Sequence, residues 1–340
     1  MVTHLRALLS SKSAVMAAVI CTAWSTAVFG QSYSLTPSEN GMLLKTPDGR
    51  PVFEYMTRKP AGSSLTAPST ACFHPVYTPK GDVITNIAPN DHPHHRGIWM
   101  GWQDAEFREE EDVSKGGPNH PARSQRITRA DFWGWGVFAP RDGRVITTQS
   151  MRLDHADAKQ AVLAIHNDWN VGDRKMADEA DTITVHEQDG VYVMDMTYKI
   201  TPVANYKLNQ SGFGGFALQA RKDGDTFYYS TPKGRMTGPD PHYAFPDSDR
   251  PDETWWDFSI QPKPTSRLIG ATVVNSPLNP PTWWHNATYL WMLNPAITAM
   301  GSYTIPANTT LTLRYRVITH DGAPPTDVLN RLAEQFRQQQ

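Results

Sequence analysis

Thr310-Leu311-Thr312-Leu313-Arg314-Tyr315-Arg316-Val317-Ile318-Thr319 alternates apolar and polar side chains through most of its length. Successive side chains on a strand point to opposite faces, so this pattern predicts a β-strand with one face on a core and one face in water. Upstream, Val83-Ile84-Thr85, Arg144-Val145-Ile146-Thr147-Thr148, Ala161-Val162-Leu163-Ala164-Ile165-His166, Thr182-Ile183-Thr184-Val185-His186 and Val191-Tyr192-Val193-Met194-Asp195-Met196-Thr197-Tyr198 are short and rich in β-branched or aromatic residues, which also predicts strands. Asp-Gly pairs at 48–49, 142–143, 189–190, 223–224 and 321–322, with Lys80-Gly81-Asp82, punctuate them. Asp and Gly tolerate positive φ and suit hairpin turns. Helix is scarce. Pro325 and Asp327 precede a run from Val328 to Phe336 with apolar residues three and four apart, which predicts a short C-terminal helix. Short strands without strand–helix alternation predict an all-β fold, a large antiparallel β-sandwich. No repeat or linker divides residues 31–340, so they are read as a single domain.

The first 30 residues differ from the rest. His4, Arg6 and Lys12 make a basic start, residues 14–24 are apolar, and Phe29-Gly30-Gln31 supplies a junction of cleavage type. This layout predicts a secretory signal peptide over 1–30 and a periplasmic or secreted mature chain. The apolar run is too short to span a bilayer, and no later segment reaches the necessary length, so no integral membrane segment is expected after cleavage. Cleavage removes Cys21 and leaves only Cys72. A lone cysteine forms no internal disulfide, and its setting in Thr70-Ala71-Cys72-Phe73-His74 reads as a buried strand position. The 32 basic and 34 acidic residues are mixed along the chain, which leaves no basic block for nucleic acid. Residues 103–129 are charged and poor in strand signal, with Glu109-Glu110-Glu111-Asp112 as the densest run. They read as a solvated insertion lying over a site.

The chemistry concentrates in Asn90-Asp91-His92-Pro93-His94-His95-Arg96-Gly97. Imidazole titrates near neutrality, so His92, His94 and His95 are candidate general acids and bases for a neutral substrate. On an extended backbone His92 and His94 share a face and His95 points away. Arg96 keeps its proton and offers a fork of donors to hydroxyls or a carboxylate. Ile98-Trp99-Met100-Gly101-Trp102 follows as an aromatic strand, a floor beside the imidazoles, and His74-Pro75 lies upstream on an expected neighbouring strand. Arg221, on the same strand face as Gln219, and Trp283-Trp284-His285-Asn286 are further polar or aromatic positions able to converge there. The glycines of Gly212-Phe213-Gly214-Gly215 lack the strand–helix context of a phosphate loop, and no cofactor is expected. His-x-His is also a workable metal-ligand pair, with His74, His285 or an acid as third ligand.

Asn90 to Trp102, Asp131-Phe132-Trp133-Gly134, Ala217 to Arg221, Asn275 to His285 and Leu313 to Gly322 together resemble a group of secreted bacterial proteins labelled the PmoA family. That group is a domain of unknown function whose label is sometimes expanded to a methane-oxygenase name. The matching segments cover nearly the whole chain after the leader. The resemblance implies a galactose-mutarotase-like supersandwich and gene neighbourhoods devoted to carbohydrate breakdown. Methane-oxygenase subunits are membrane proteins, and a chain without a spanning segment does not fit that label.

In a mutarotase-like sandwich a concave sheet face holds a sugar ring, and an acid–base pair opens, epimerises or cleaves it. The expected function is therefore an exported carbohydrate-active enzyme, whether hydrolase, lyase or epimerase. His92, His94 or His95 would move the proton. His74, Arg96, Arg221 and His285 would bind the carbohydrate, and Trp99, Trp102 or Trp284 would stack on the ring. Glu187, Glu253 and Asp257 are the carboxylates considered as a second catalytic group. A noncatalytic glycan-binding protein and a His-ligated metalloprotein remain the alternatives.

Overall fold

The computed structural model describes residues 32–112, 123–236, 253–263, 267–286 and 290–339; the expected signal peptide lies outside them. Asp189-Gly190 turns the chain with φ values of 54° and 78°. Strands Arg174–Gln188 and Val191–Pro202 run antiparallel from this turn. Tyr192, Met194, Met196, Tyr198 and Ile200 face one way along the second strand and enter the main core. Leu311–Asp321 pairs on the far side of Val191–Pro202, and Gln160–Val171 and Arg144–Ala156 extend the sheet beyond Arg174–Gln188. With Ile269–Asn275, Trp255–Pro262, Gly224–Thr231 and Gly234–Met236 on the other edge, the sheet has nine strands.

A seven-stranded antiparallel sheet lies across the core. Its order is Ser34–Pro37, Gly41–Lys45, Pro51–Met56, Cys72–Val76, Ile98–Trp102, Gly214–Gln219 and Met292–Leu293. Phe53, Phe73, Met100, Phe216 and Leu218 from this sheet share one apolar cluster with Leu163, Val185, Tyr315 and Val317 from the other. This is the expected antiparallel sandwich, with one helix among the described residues, at Thr326–Gln338. Val83–Thr85 forms isolated bridges, Tyr77 to Val83 and Thr85 to Ala220, rather than the strand predicted for it.

Of residues 103–129, 113–122 lie outside the described residues, and 103–112 and 123–129 do not form the solvated insertion read from their charge. Ala105–Asp112 pairs antiparallel with Arg123–Ala130, and the two strands join Asn205–Leu208 and Tyr303–Ile305 in a four-stranded sheet. Phe107 stacks on Tyr206 with ring centroids 4.1 Å apart, and Ala105 and Ala130 are fully buried. Glu106, Arg108 and Glu110 occupy the other face of the pleat, where Glu106 pairs with Arg108, while Glu109, on the face of Phe107, pairs with Arg174. High charge density hid an alternation of period two.

The outer faces of the two large sheets are covered differently. The helix lays Leu329, Leu332, Ala333 and Phe336 on Val191, Val193, Trp255, Val274 and Ile318 of the nine-stranded sheet. Arg316 is buried beneath it, paired bidentately with Asp195 at 2.5 and 2.7 Å and donating to the Leu332 carbonyl at 2.6 Å. The wet face expected for Thr310–Thr319 thus survives only in its first half, because the helix covers the rest. On the seven-stranded sheet the outer face gathers Met56, Cys72, Trp99, Ala217 and Met292 under Trp133 and Leu290. Cys72 is buried and its thiol is pushed up to about 12 by burial, which suits a small hydrophobe. Truncating Leu332 to Ala should lower stability by roughly 2–4 kcal/mol, read as a shift of the urea midpoint, whereas exposed Glu334→Ala should change it by less than about 0.5 kcal/mol.

Candidate functional site

A looped segment rises from the outer face of the seven-stranded sheet and carries the histidines. Its stem is closed by Asn86 N–H to Gln219 O at 3.0 Å, Gly97 N–H to Asn86 O at 2.7 Å and Ala88 N–H to His95 O at 2.8 Å. Two tight turns follow within it, His92 N–H to Pro89 O and His95 N–H to His92 O. Gly97 sits at φ 52°, where a Cβ would fall 2.1 Å from the Phe73 carbonyl oxygen, so only glycine fits the close crossing. The backbone is therefore not extended, and the expected division of His92 and His94 from His95 does not hold. Instead the three rings gather, with centroids 4.9 Å apart for His92–His95, 4.5 Å for His94–His95 and 5.8 Å for His92–His94.

Arg96 was expected to reach a ligand, but it is fully buried. Its Nη1 donates to the carbonyls of His94 (3.2 Å) and Trp133 (2.9 Å), and its Nη2 to that of Phe132 (3.1 Å). The guanidinium also lies 5.6 Å from the Trp99 ring. Burial pulls it down to about 10. It is a clamp that fastens the histidine loop to the segment carrying Phe132 and Trp133. Asp131 secures that segment by accepting from the N–H groups of Gly134 and Gly136.

His95 is the most constrained of the imidazoles. Gln219 Nε2 donates to the carbonyls of Ala220 (3.0 Å) and Leu290 (2.8 Å), which turns its Oε1 toward His95 Nδ1 at 2.7 Å. Only an N–H can meet that oxygen, so the proton of neutral His95 sits on Nδ1 and Nε2 carries the lone pair. The ring lies 5.3 Å from Trp99 and 5.9 Å from Trp133. His94 stacks on Trp135 at 5.8 Å and 14°. Trp135 meets Phe213, which in turn meets the His285 ring at 4.4 Å. Trp135 remains 37% exposed, beside exposed Val137 and Phe138. Among the described residues, His94 Nε2, Trp99 Nε1 and Trp133 Nε1 are buried without a hydrogen-bond partner.

Burial in this aromatic surround pushes His92, His94 and His95 down. His94 falls to about 3, with His92 and Arg96 adding repulsion, His95 lies well below its ordinary value, and His92 is lowered less because Asp91 opposes the effect. Asp91 lies 3.3 Å from His92 Nδ1 and is ion-paired with Lys222 at 2.5 Å. Between the ascending limb of the loop and residues 221–223 lies an open cleft of about 580 Å³.

Other expected positions go elsewhere. Trp102 stands three residues from Trp99 and so faces the opposite side of its strand, where it is buried in the inter-sheet core near Trp169. Trp284 enters the same core and donates to the Glu253 carbonyl at 2.9 Å. Neither offers a face to a ligand beside the histidines. His74 is on the adjacent strand Cys72–Val76, its Nδ1 3.0 Å from Thr85 Oγ1, and burial lowers it to about 4. Arg221 lines the cleft, held by Asp223 and donating to Val83 O. Glu187 pairs with Arg50, Glu253 with Lys233, and Asp257 is buried under Ser259, Thr272 and His320. The carboxylate beside the imidazoles is Asp91, which the sequence reading quoted without a role, as it did Trp133 and Phe213, and it did not name Lys222 or Trp135. Trp133-Gly134-Trp135-Gly136 was the available signal for the indoles. Nothing in the chain marked Lys222.

The histidine loop does not place three ligand atoms together. Among the described residues, the set whose ligand atoms lie within 4.8 Å of one another is His166, Asp168 and Asp178, and Lys175 already bridges its two carboxylates.

These features define a β-sandwich that carries neutral imidazoles and indoles on the outer face of its smaller large sheet. The chain belongs to a family of unknown function, DUF6807, matched over residues 45–334. No curated protein matches it at a significant level. Among solved structures it is similar to a galactose mutarotase related enzyme from Lactobacillus acidophilus, at 6% identity and a TM-score of 0.33, over 85% of this chain and 97% of that one. It is also similar to a GH36 α-galactosidase from Geobacillus stearothermophilus, at 7% identity and a TM-score of 0.37, over 86% of this chain and 40% of that one. Overlaps this loose say nothing about activity or ligand. No helix among the described residues is long and apolar enough to cross a membrane.

Buried neutral histidines make stability depend on pH. With His74, His94 and His95 below their unfolded value near 6.5, the unfolded chain binds more protons than the folded one in that window. Stability should therefore be retained above about pH 6.5 and fall as the pH drops below it, by up to ~1.4 kcal/mol per pH unit for each group. Urea midpoints at about pH 7.5, 6 and 5 measure the slope, and His94→Gln should flatten it.

Proposed function

We propose that this chain is an exported carbohydrate-active protein in which the histidine loop transfers a proton on a sugar or glycoside. The observation that carries the reading is the Gln219–His95 hydrogen bond, which commits Nδ1 as donor and leaves Nε2 as the basic atom of a neutral imidazole. A base held in one tautomer and already deprotonated at neutral pH has no proton to shed before it accepts one. Exposed Trp135 supplies an aromatic face of the kind on which sugar rings pack. Hydrolysis, elimination and epimerisation all require a proton removed at one atom and delivered at another. His95 is assigned the acceptor role. His92 is assigned the donor role, because it stacks against His95 and, lowered on balance by burial although the Asp91 carboxylate opposes this, its protonated form gives up a proton readily. Arg96 positions these rings and touches no substrate. Export is proposed from the basic start and apolar run of residues 1–30.

A noncatalytic glycan-binding protein is the second reading, favoured by the exposed Trp135–Val137–Phe138 patch alone. The two separate on variants of the mature chain screened against neutral oligosaccharides. For the enzyme, His95→Gln should lower kcat by about 10²-fold or more while binding is retained, and the acid limb of kcat/KM should lie below about 6.5, since burial lowers His95. For the binder, Trp135→Ala should weaken affinity by about tenfold, His95→Gln should change little, and no turnover should be found.

A further inference from the structure

The cleft beside the histidine loop is not accounted for by proton transfer. It is open and about 580 Å³ in volume, within the range of small-ligand sites. Its walls are Thr85, Asn86 and Asn90 with two charge pairs, Arg221–Asp223 and Lys222–Asp91. Ala88 and Pro89 are its apolar members, so it offers no flat face to a purine or an acyl chain. Each cation is neutralised by an adjacent carboxylate, so the cleft has no excess charge with which to select an anion. Carboxylates and amide oxygens accept several hydrogen bonds, while guanidinium, ammonium and amide N–H groups donate. A wall that alternates acceptors with donors matches vicinal hydroxyls, which do both.

The cleft borders the imidazoles through Asp91. Asp91 Oδ2 meets Lys222 in the cleft and lies 3.3 Å from His92 Nδ1. On the other flank, Trp135 stacks on His94 and on neither of the other two histidines. The histidine rings thus form a ridge between a polar cleft and an aromatic platform.

We infer that the site is bipartite and that its ligand is a neutral saccharide of at least two rings. One ring lies in the Asn86–Asn90–Asp91–Arg221–Lys222–Asp223 cleft, the next on Trp135, and the linkage crosses the ridge beside His92 and His95. This inference rests on the saccharide reading above. Calorimetric titration of the mature chain with the mono-, di- and trisaccharides of glucose, galactose, mannose and xylose, and with glucuronate-containing disaccharides, tests it. A neutral disaccharide should bind at least about tenfold more tightly than its monosaccharide, or about 1.4 kcal/mol. Asn90→Ala and Lys222→Ala should each reduce that ratio below about threefold. Asn90 is exposed, so its truncation leaves the fold intact even if Lys222→Ala does not fold. Equal affinity for one ring and two, or ratios unchanged in both variants, would overturn the bipartite site and leave the saccharide reading standing. Tighter binding of the glucuronate disaccharides would overturn the neutral ligand. Binding of none of these sugars would overturn the saccharide reading together with this one.

Discussion

The arrangement of the site depends on one buried guanidinium. Taking Arg96 out of water carries a large desolvation penalty unless its donors are met, and among the described residues no carboxylate pairs with it. Backbone carbonyls meet its Nη donors instead, two from the Phe132–Trp133 segment and one from His94, while Nε is buried without a hydrogen-bond partner. The two loops cannot separate without stranding a charge in an apolar layer. Gly97 makes this possible, because the missing Cβ lets the chain cross Phe73 closely enough for Arg96 to turn inward. A residue that looks like a ligand hook in the sequence is the fastening of the site.

The same burial sets the chemistry. Indoles and neighbouring imidazoles replace water around His94 and His95, so the charged forms lose solvation and the neutral forms prevail. Gln219 is itself oriented by the carbonyls of Ala220, Leu290 and Trp291 and selects one tautomer of His95. A group two steps removed from solvent thus decides which nitrogen is basic. Asp91 and Lys222 bring charge to the rim without entering the aromatic layer, which leaves His92 in an intermediate environment.

Much of the architecture was legible because period two is a local property. The Asp189-Gly190 turn, the inward Tyr192-to-Ile200 series and the C-terminal helix follow from backbone preference and alternation alone. Where charge outweighed alternation, as in Ala105–Asp112, a strand was read as a loop. Trp99 and Trp102 illustrate a rule available but unused: an odd separation on a strand sends two side chains to opposite faces, and the sandwich buries one in each layer. The cover over Ile318 was not legible, since it depends on where a helix at the far end of the chain docks.

The sequence by itself determined the fold class and drew attention to the histidine loop, because strand alternation, turn chemistry and residue density are local. Only the tertiary structure decided that Arg96 is a clamp, that Trp102 and Trp284 are core, and that Trp133, Trp135, Gln219, Asp91 and Lys222 surround the imidazoles. Those assignments depend on contacts between segments up to 131 residues apart, as for Lys222 and Asp91. Which partner fills a hydrogen bond or covers a ring is settled by packing across sheets, and no window along the chain records it.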